Sequence, residues 1–149
     1  MGIPNIQCGI APGVNLEGLI DALADEGWHP KRLEPNYVGF RLNDKNYVAA
    51  CPEGEENLLV LCAPRIYRIS KYDDRAAILE TVNEINCNSR VGKIYIYDDA
   101  VWVNVEVRHL RMGMAAALLT TYIEDITAVV KAFNVHLLTT ADGQPETLQ

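Results

Sequence analysis

The sequence predicts an α+β fold, in the order α-β-β-β-α-β-β-α, with helices packed on an antiparallel sheet. Three observations carry this reading. The strand-like segments fall into two groups, and every junction inside a group is short enough for a hairpin and too short for a crossover. Residues 91–107, VGKIYIYDDAVWVNVEV, alternate aliphatic with aromatic or polar residues on either side of Asp98-Asp99. Three further segments, 15–27, 73–88 and 113–134, repeat apolar residues at helical spacing.

At 149 residues the chain suits one domain. The expected division is an irregular N-terminal arm over 1–14, rich in Gly and Pro, a single α+β domain over 15–138, and a disordered tail over 139–149. With 49% hydrophobic residues, a chain of this length can bury a core without a metal or disulfide. A net charge of -7 argues against nucleic acid, since the basic clusters Lys31-Arg32 and Arg65/Arg68 form no stripe. No apolar run is long enough to cross a membrane, and residues 1–13 lack the pattern of a secretory signal. The expected location is the cytoplasm. Cys8, Cys51, Cys62 and Cys87 make no C-x-x-C pair, so the expectation is reduced, mostly buried thiols and no zinc.

The first helix, 15–27, is capped by Asn15 and closed by Gly27, with Leu16, Leu19, Ile20 and Leu23 on one face and Trp28 folding back on its last turn. Strands 37–42, 46–51 and 57–63 follow. With the first turn centred between Asp44 and Lys45 and the second between Gly54 and Glu55, one face gathers three sets of residues. These are Val38, Phe40 and Leu42; Tyr47, Ala49 and Cys51; and Leu58, Val60 and Cys62. In that register Cys62 lies roughly 13 Å from Cys51, too far for a disulfide. Pro64 breaks or bulges the third strand, which can resume as RIYRI.

Asp73 or Asp74 caps the second helix, the other complementing its positive end. Ile78, Val82 and Ile85 form one face of that helix, and Leu79, Asn83 and Asn86 an adjoining one. In the final hairpin a turn centred between Asp98 and Asp99 sets Tyr95 opposite Trp102, Ile96 opposite Val101 and Ile94 opposite Val103. A one-residue slip would turn every valine toward water, so the register is strongly specified. Aliphatic residues then point inward, and Tyr95, Tyr97 and Trp102 outward. The third helix carries Leu118, Tyr122, Ile126, Val129 and Phe133 on one stripe, widened by Leu119, Ile123 and Val130. So broad a stripe suggests burial on two sides, by the sheet and by a second subunit. Leu118, Leu119, Tyr122 and Ile126 are the candidate dimer residues.

Catalytic, cofactor and metal residues are all expected to be absent. His29, His109 and His136 have no carboxylate or cysteine at ligand spacing, and no nucleophile elbow, zinc-protease helix or phosphate loop is present. The carboxylate pairs sit at a helix cap and at turns. Asn83 and Asn86, disfavoured inside a helix, have two readings. In one, Asn83 bonds a neighbouring strand while Asn86 and Asn88 help end the helix; in the other, Asn83 and Asn86 bind a ligand. The Tyr95/Tyr97/Trp102 face reads either as cross-strand pairing or as a contact surface for a partner.

From Asp73 onward the residues carry a resemblance. Asp74-Arg75, Val82-Asn83-Glu84-Ile85-Asn86 and Lys93-Ile94-Tyr95 resemble the "D-R", "V-N-E-W-N" and "K-x-Y" pattern of the YbjN family, bacterial proteins named as sensory transduction regulators. Two positions depart from it: Ile85 stands where many members carry Trp, and Gly92 where several carry Pro. The resemblance implies a fold similar to the chaperones of type III secretion, which are small, acidic and usually homodimeric, and bind an effector segment along the surface. It therefore implies a non-enzymatic, chaperone-like adaptor or regulator for a protein or peptide partner, acting as a homodimer. The alternative from another class is a small-molecule sensor with a pocket between sheet and helices near Asn83 and Asn86.

Overall fold

The computed structural model describes residues 15–55, 57–108 and 111–147. The expected arm over 1–14, Cys8 and His109 lie outside them. The described elements are α1 (Leu16–Asp25), β1 (Lys31–Glu34), β2 (Tyr37–Leu42), β3 (Lys45–Ala50), β4 (Leu58–Arg68), α2 (Arg75–Asn88), β5 (Lys93–Tyr97), β6 (Ala100–Arg108) and α3 (Met112–Thr147). The strands form one antiparallel sheet in the order β1-β2-β3-β4-β6-β5, so the fold is α+β, as the hairpin-length junctions require. The described residues cluster into two compact units. One runs to Leu61 and includes Glu106–Thr121; the other joins Cys62–Val105 to the residues from Tyr122 onward.

In the first unit, α1 begins where Asn15 Oδ1 accepts the Gly18 amide at 2.8 Å. It ends on Gly27 at a φ of +80°. Trp28 N–H donates to Leu23 C=O at 3.1 Å and Gly27 N–H to Ala24 C=O at 2.9 Å, the paired bonds of a Schellman stop. The Trp28 ring then stacks on Phe40 at 5.7 Å, and Phe40 on Tyr47 at 5.5 Å. Phe40 and Tyr47 form buried core with Leu19, Leu23, Val38 and Ala49, while Trp28 is half-buried.

Three expectations change in this unit. Strand β1 is additional: all four of its residues are exposed, so no hydrophobic pattern marks it. It forms because pairing satisfies the backbone groups along β2 whatever the side chains are. Its edge carries Lys31, Arg32 and Glu34, a register irregularity between Arg32 and Glu34, and an Arg32–Glu17 ion pair. Such charges and bulges discourage strand addition. Second, the β2–β3 turn is Asn43-Asp44, both with left-handed φ (+51° and +62°), and Leu42 pairs with Lys45. The expected centre, between Asp44 and Lys45, was displaced by one residue. Each pairing moves by two, and the buried set Val38, Phe40, Tyr47 and Ala49 is unchanged. Third, β4 buries Leu59 and Leu61, while Leu58 and Val60 are half-buried, the reverse of the expected face. The run LLVLCA is apolar on both faces and holds no alternation to read. Left-handed residues at Gly54 and Asn57 shape the turn before it.

In the second unit, β4 continues unbroken through Pro64, and Arg65 takes a left-handed φ of +48° directly after it. Asp74 caps α2, its carboxylate accepting the Ala77 amide at 3.2 Å. Asp73 does not serve the helix end; it accepts the Ser70 amide and the Tyr67 hydroxyl, each at 2.7 Å, and so closes the β4–α2 loop. Those bonds, the Ser70 amide foremost, hold the Asp73 carboxyl below the usual carboxylate range. Ile78, Val82 and Ile85 are buried as expected, whereas Leu79 is exposed. The β5–β6 register is the one the alternation implies: Tyr95 pairs with Trp102, Ile96 with Val101 and Ile94 with Val103. Asp98 and Asp99, with φ of +50° and +57°, make the two-residue turn.

Helix α3 extends through Thr147, well past the expected end at 134, so the backbone of 139–147 is helical where a tail was expected. Once a helix is nucleated, each further residue adds one backbone bond, and polar residues can prolong it without packing. Thr139 Oγ1 also bonds Val135 C=O at 2.9 Å.

Candidate binding face and the closed edge beside it

Alternation in the β5–β6 hairpin sorts its residues onto two faces. Ile94, Val101, Val103 and Val105 are at most 1% exposed. Opposite them stand Tyr95, Tyr97 and Trp102. Tyr97 is 66% exposed, and Tyr95 and Trp102 are half-buried. The three rings are braced from the hairpin itself. Trp102 Nε1–H donates to Tyr97 C=O at 3.0 Å, and the two rings meet edge to face at 6.0 Å. Tyr95 hydroxyl donates to Oδ1 of the buried Asn104 at 2.9 Å. Sequence reasoning passed over Asn104; the one sign of it is an amide between valines on the aromatic side. Two cations cover the rings: Lys93 Nζ lies 5.8 Å from the Tyr95 ring, and the Arg65 guanidinium 5.8 Å from that of Trp102. Beside Tyr95, the Cys62 thiol is pushed up to about 11 by burial, an effect its hydrogen bond with Tyr95 partly opposes. It is therefore a packing group and not a nucleophile.

At the turn end of this face, Arg65, Arg68, Asp98, Asp99 and Ala100 line a cleft of about 310 Å³. Asp99 is engaged twice there. Its carboxylate pairs with Arg75 at 2.7 Å, and its carbonyl accepts the Ile69 amide at 2.8 Å.

Strand β5 is the last strand of the sheet, so one side of its backbone faces no other strand. Since Tyr95 and Trp102 form a hydrogen-bonded pair in the two-residue hairpin, the N–H and C=O of Ile94 and Ile96 point away from β6. Asn86 takes both groups of Ile94: its Nδ2 donates to the carbonyl at 2.7 Å, and its Oδ1 accepts the amide at 2.9 Å. One side-chain amide thus stands in for a residue of a neighbouring strand. This corrects the structural role expected of Asn83, which is exposed on α2; Asn86 is the residue that bonds the strand. Asn88 does act at the helix end, donating to Glu84 C=O at 3.1 Å.

Neither Asn83 nor Asn86 lines a cleft of about 420 Å³ in this unit. Its walls include Ile85, Arg90, Asp125, Val129 and His136, with the buried Gly92 at its base. Glu84 and His136 pair across it at 3.3 Å. Gly92 has a packing reason: a Cβ there would stand 2.8 Å from Val129 Cγ2.

Of the candidate dimer residues, Leu119 and Ile126 are fully buried within the chain, while Leu118 and Tyr122 are half-buried. Among the described residues of α3, the exposed large apolar side chains are Met114, Val135 and Leu138. Among the described residues no group of His, Cys, Asp and Glu could hold a metal ion, and no helix is long and apolar enough to cross a membrane. Cys51, Cys62 and Cys87 are free; Cys62 is buried, Cys51 intermediate and Cys87 exposed.

Comparison with solved structures finds the crystal structure of YbjN from E. coli at a TM-score of 0.61, with 16% identity, covering 86% of this chain and 97% of that one. At that identity the likeness is one of fold. No curated protein sequence matches. The family model described as "T3SS (YopN, CesT) and YbjN peptide-binding chaperone 1" matches residues 32–147, a span from β1 to the end of α3. The chain therefore belongs to this family of non-catalytic peptide-binding chaperones.

Proposed function

We propose that this chain is a cytoplasmic chaperone-like adaptor that holds a segment of a protein or peptide partner on the outer face of β5–β6, at Tyr97 and Trp102 with Tyr95 beneath them. The observation that carries the reading is the exposure of Tyr97 at 66% beside Trp102, on a hairpin whose opposite face buries Ile94, Val101, Val103 and Val105. Cross-strand pairing alone accounts for the contact between the rings but not for leaving so much aromatic surface in water, where interfaces concentrate Tyr and Trp. The test is affinity capture from extract of the source organism with the wild type and with Tyr97→Ala/Trp102→Ala, after circular dichroism shows that the variant folds. A partner held by the first and lost from the second supports the reading; equal retention by both refutes it.

The adaptor acts as a homodimer in this proposal, with α3 at the interface through its exposed Val135 and Leu138 and the half-buried Leu118 and Tyr122. Light scattering at tens of micromolar showing a strict monomer would remove the dimer and leave the binding face standing. The small-molecule alternative rests on the cleft at Arg90 and His136. A ligand that binds only the folded chain would raise its melting temperature; Ala132 also lines that cleft, and Ala132→Trp, which would fill it, would abolish the shift.

A further inference from the structure

Charge divides unevenly over this chain. The whole carries -7, yet the cations nearest the aromatic face are Arg65 over Trp102, Lys93 over Tyr95 and Arg68 in the adjoining cleft. Against them stand Asp98 and Asp99 at the turn, and the exposed Glu106 farther along the same side of β6; Asp99 already pairs with Arg75, and Lys93 and Glu106 are each engaged as well. The surplus positive charge is therefore that of Arg65 and Arg68 at the turn end of the face, on an otherwise acidic molecule. Arg65 and Arg68 are both exposed, and each can offer a planar fork of donors to a carboxylate. Their neighbour Trp102 supplies apolar contact beside them.

Resting on the proposed binding face, we infer that its occupant is an acidic peptide segment, with carboxylates on Arg65 and Arg68 and apolar side chains against Tyr97 and Trp102. Charge complementarity argues for it twice. The local cations attract carboxylates, while the net charge of the chain repels any polyanion that extends beyond them. A nucleic acid, charged at every residue of its length, meets that repulsion; a peptide can place its carboxylates sparsely where the arginines are. Cation–π contacts hold Arg65 and Lys93 over the rings before binding, so less freedom is lost when a carboxylate arrives.

The experiment is calorimetric titration with two synthetic peptides, one alternating Glu with Leu and Phe, the other identical but with Gln for every Glu. The expected result is that the Glu peptide binds about tenfold more tightly at low salt. The preference should shrink as salt is raised and disappear in Arg65→Gln/Arg68→Gln, which keeps its affinity for the Gln peptide. Equal affinity for both peptides would overturn the acidic preference while leaving the binding face intact. Binding of neither, or binding unaffected by Tyr97→Ala/Trp102→Ala, would overturn the face together with the inference. The salt dependence of the wild type decides the matter if the double-arginine variant does not fold.

Discussion

Two hairpins of this chain share one turn and put their aromatic residues on opposite sides. Asn43-Asp44 joins β2 to β3 and Asp98-Asp99 joins β5 to β6; all four residues take left-handed φ, without a glycine. In β2–β3 the rings of Phe40 and Tyr47 lie in the core, stacked beneath Trp28. In β5–β6 aliphatic residues fill the core and Tyr97 and Trp102 stand outside. The turn sets only the pairing. Which face carries the rings depends on which residues occupy the odd and even positions, and the same motif thereby makes a core in one place and an exposed aromatic face in the other.

The largest effect that sharpens this contrast is truncation of a ring on each hairpin. Phe40→Ala removes a buried ring with two stacking partners and is expected to cost about 3–5 kcal/mol. Tyr97→Ala should cost no more than about 1 kcal/mol, since it loses an edge contact and little burial. Urea unfolding of the two variants measures both; a comparable loss at Tyr97 would make its face structural.

Next come the supports of β5. Gly92→Ala drives a methyl group into Val129 and should destabilise by about 1–3 kcal/mol, relieved in the double variant with Val129→Ala. Asn86→Ala strips Ile94 of two hydrogen bonds at a cost of about 1–2 kcal/mol, with faster exchange of the Ile94 amide proton. Asn83→Ala, on an exposed position, should stay within about 0.5 kcal/mol of wild type. If the two asparagines cost the same, the edge-closing role is wrong.

The turns themselves differ least. Glycine carries no steric penalty at positive φ, so Asp44→Gly should stabilise by a few tenths to about 1 kcal/mol. Asp99→Gly should gain less, because it gives up the pairing with Arg75. Thermal melts of the two variants rank them. Acid titration probes the loop that leads into α2. The folded Asp73 carboxyl lies below its unfolded value, so its stabilisation is present above the unfolded pKa and is lost as pH falls through the folded one. Asp73→Asn should flatten that part of the stability curve. Among Cys51, Cys62 and Cys87, thiol alkylation at neutral pH should mark Cys87 first and Cys62 last, in line with exposure and the raised Cys62 pKa.

Whatever repeats with a period is legible in the residues alone. Alternation of valine with aromatic and polar residues decided the β5–β6 register to the residue, and the Asn15 cap and Gly27 stop bounded α1. In β2–β3 parity was legible but the turn was not, because a shift of two residues leaves the same side chains inward. The rest follows from contacts between segments distant in the chain. The uniformly apolar start of β4 could turn either face inward until its neighbours claimed Leu59 and Leu61. The charged β1 exists because β2 has an open side, and α3 outran its apolar stripe because helix propagation needs no core. The binding candidates follow the same division. That Tyr95, Tyr97 and Trp102 share a face is periodicity; that Tyr97 stays in water, that Arg65 covers Trp102, and that Asn86 rather than Asn83 meets Ile94 are matters of distance in space. Asparagines three residues apart on one helix look alike in sequence, and only the position of the strand alongside tells them apart.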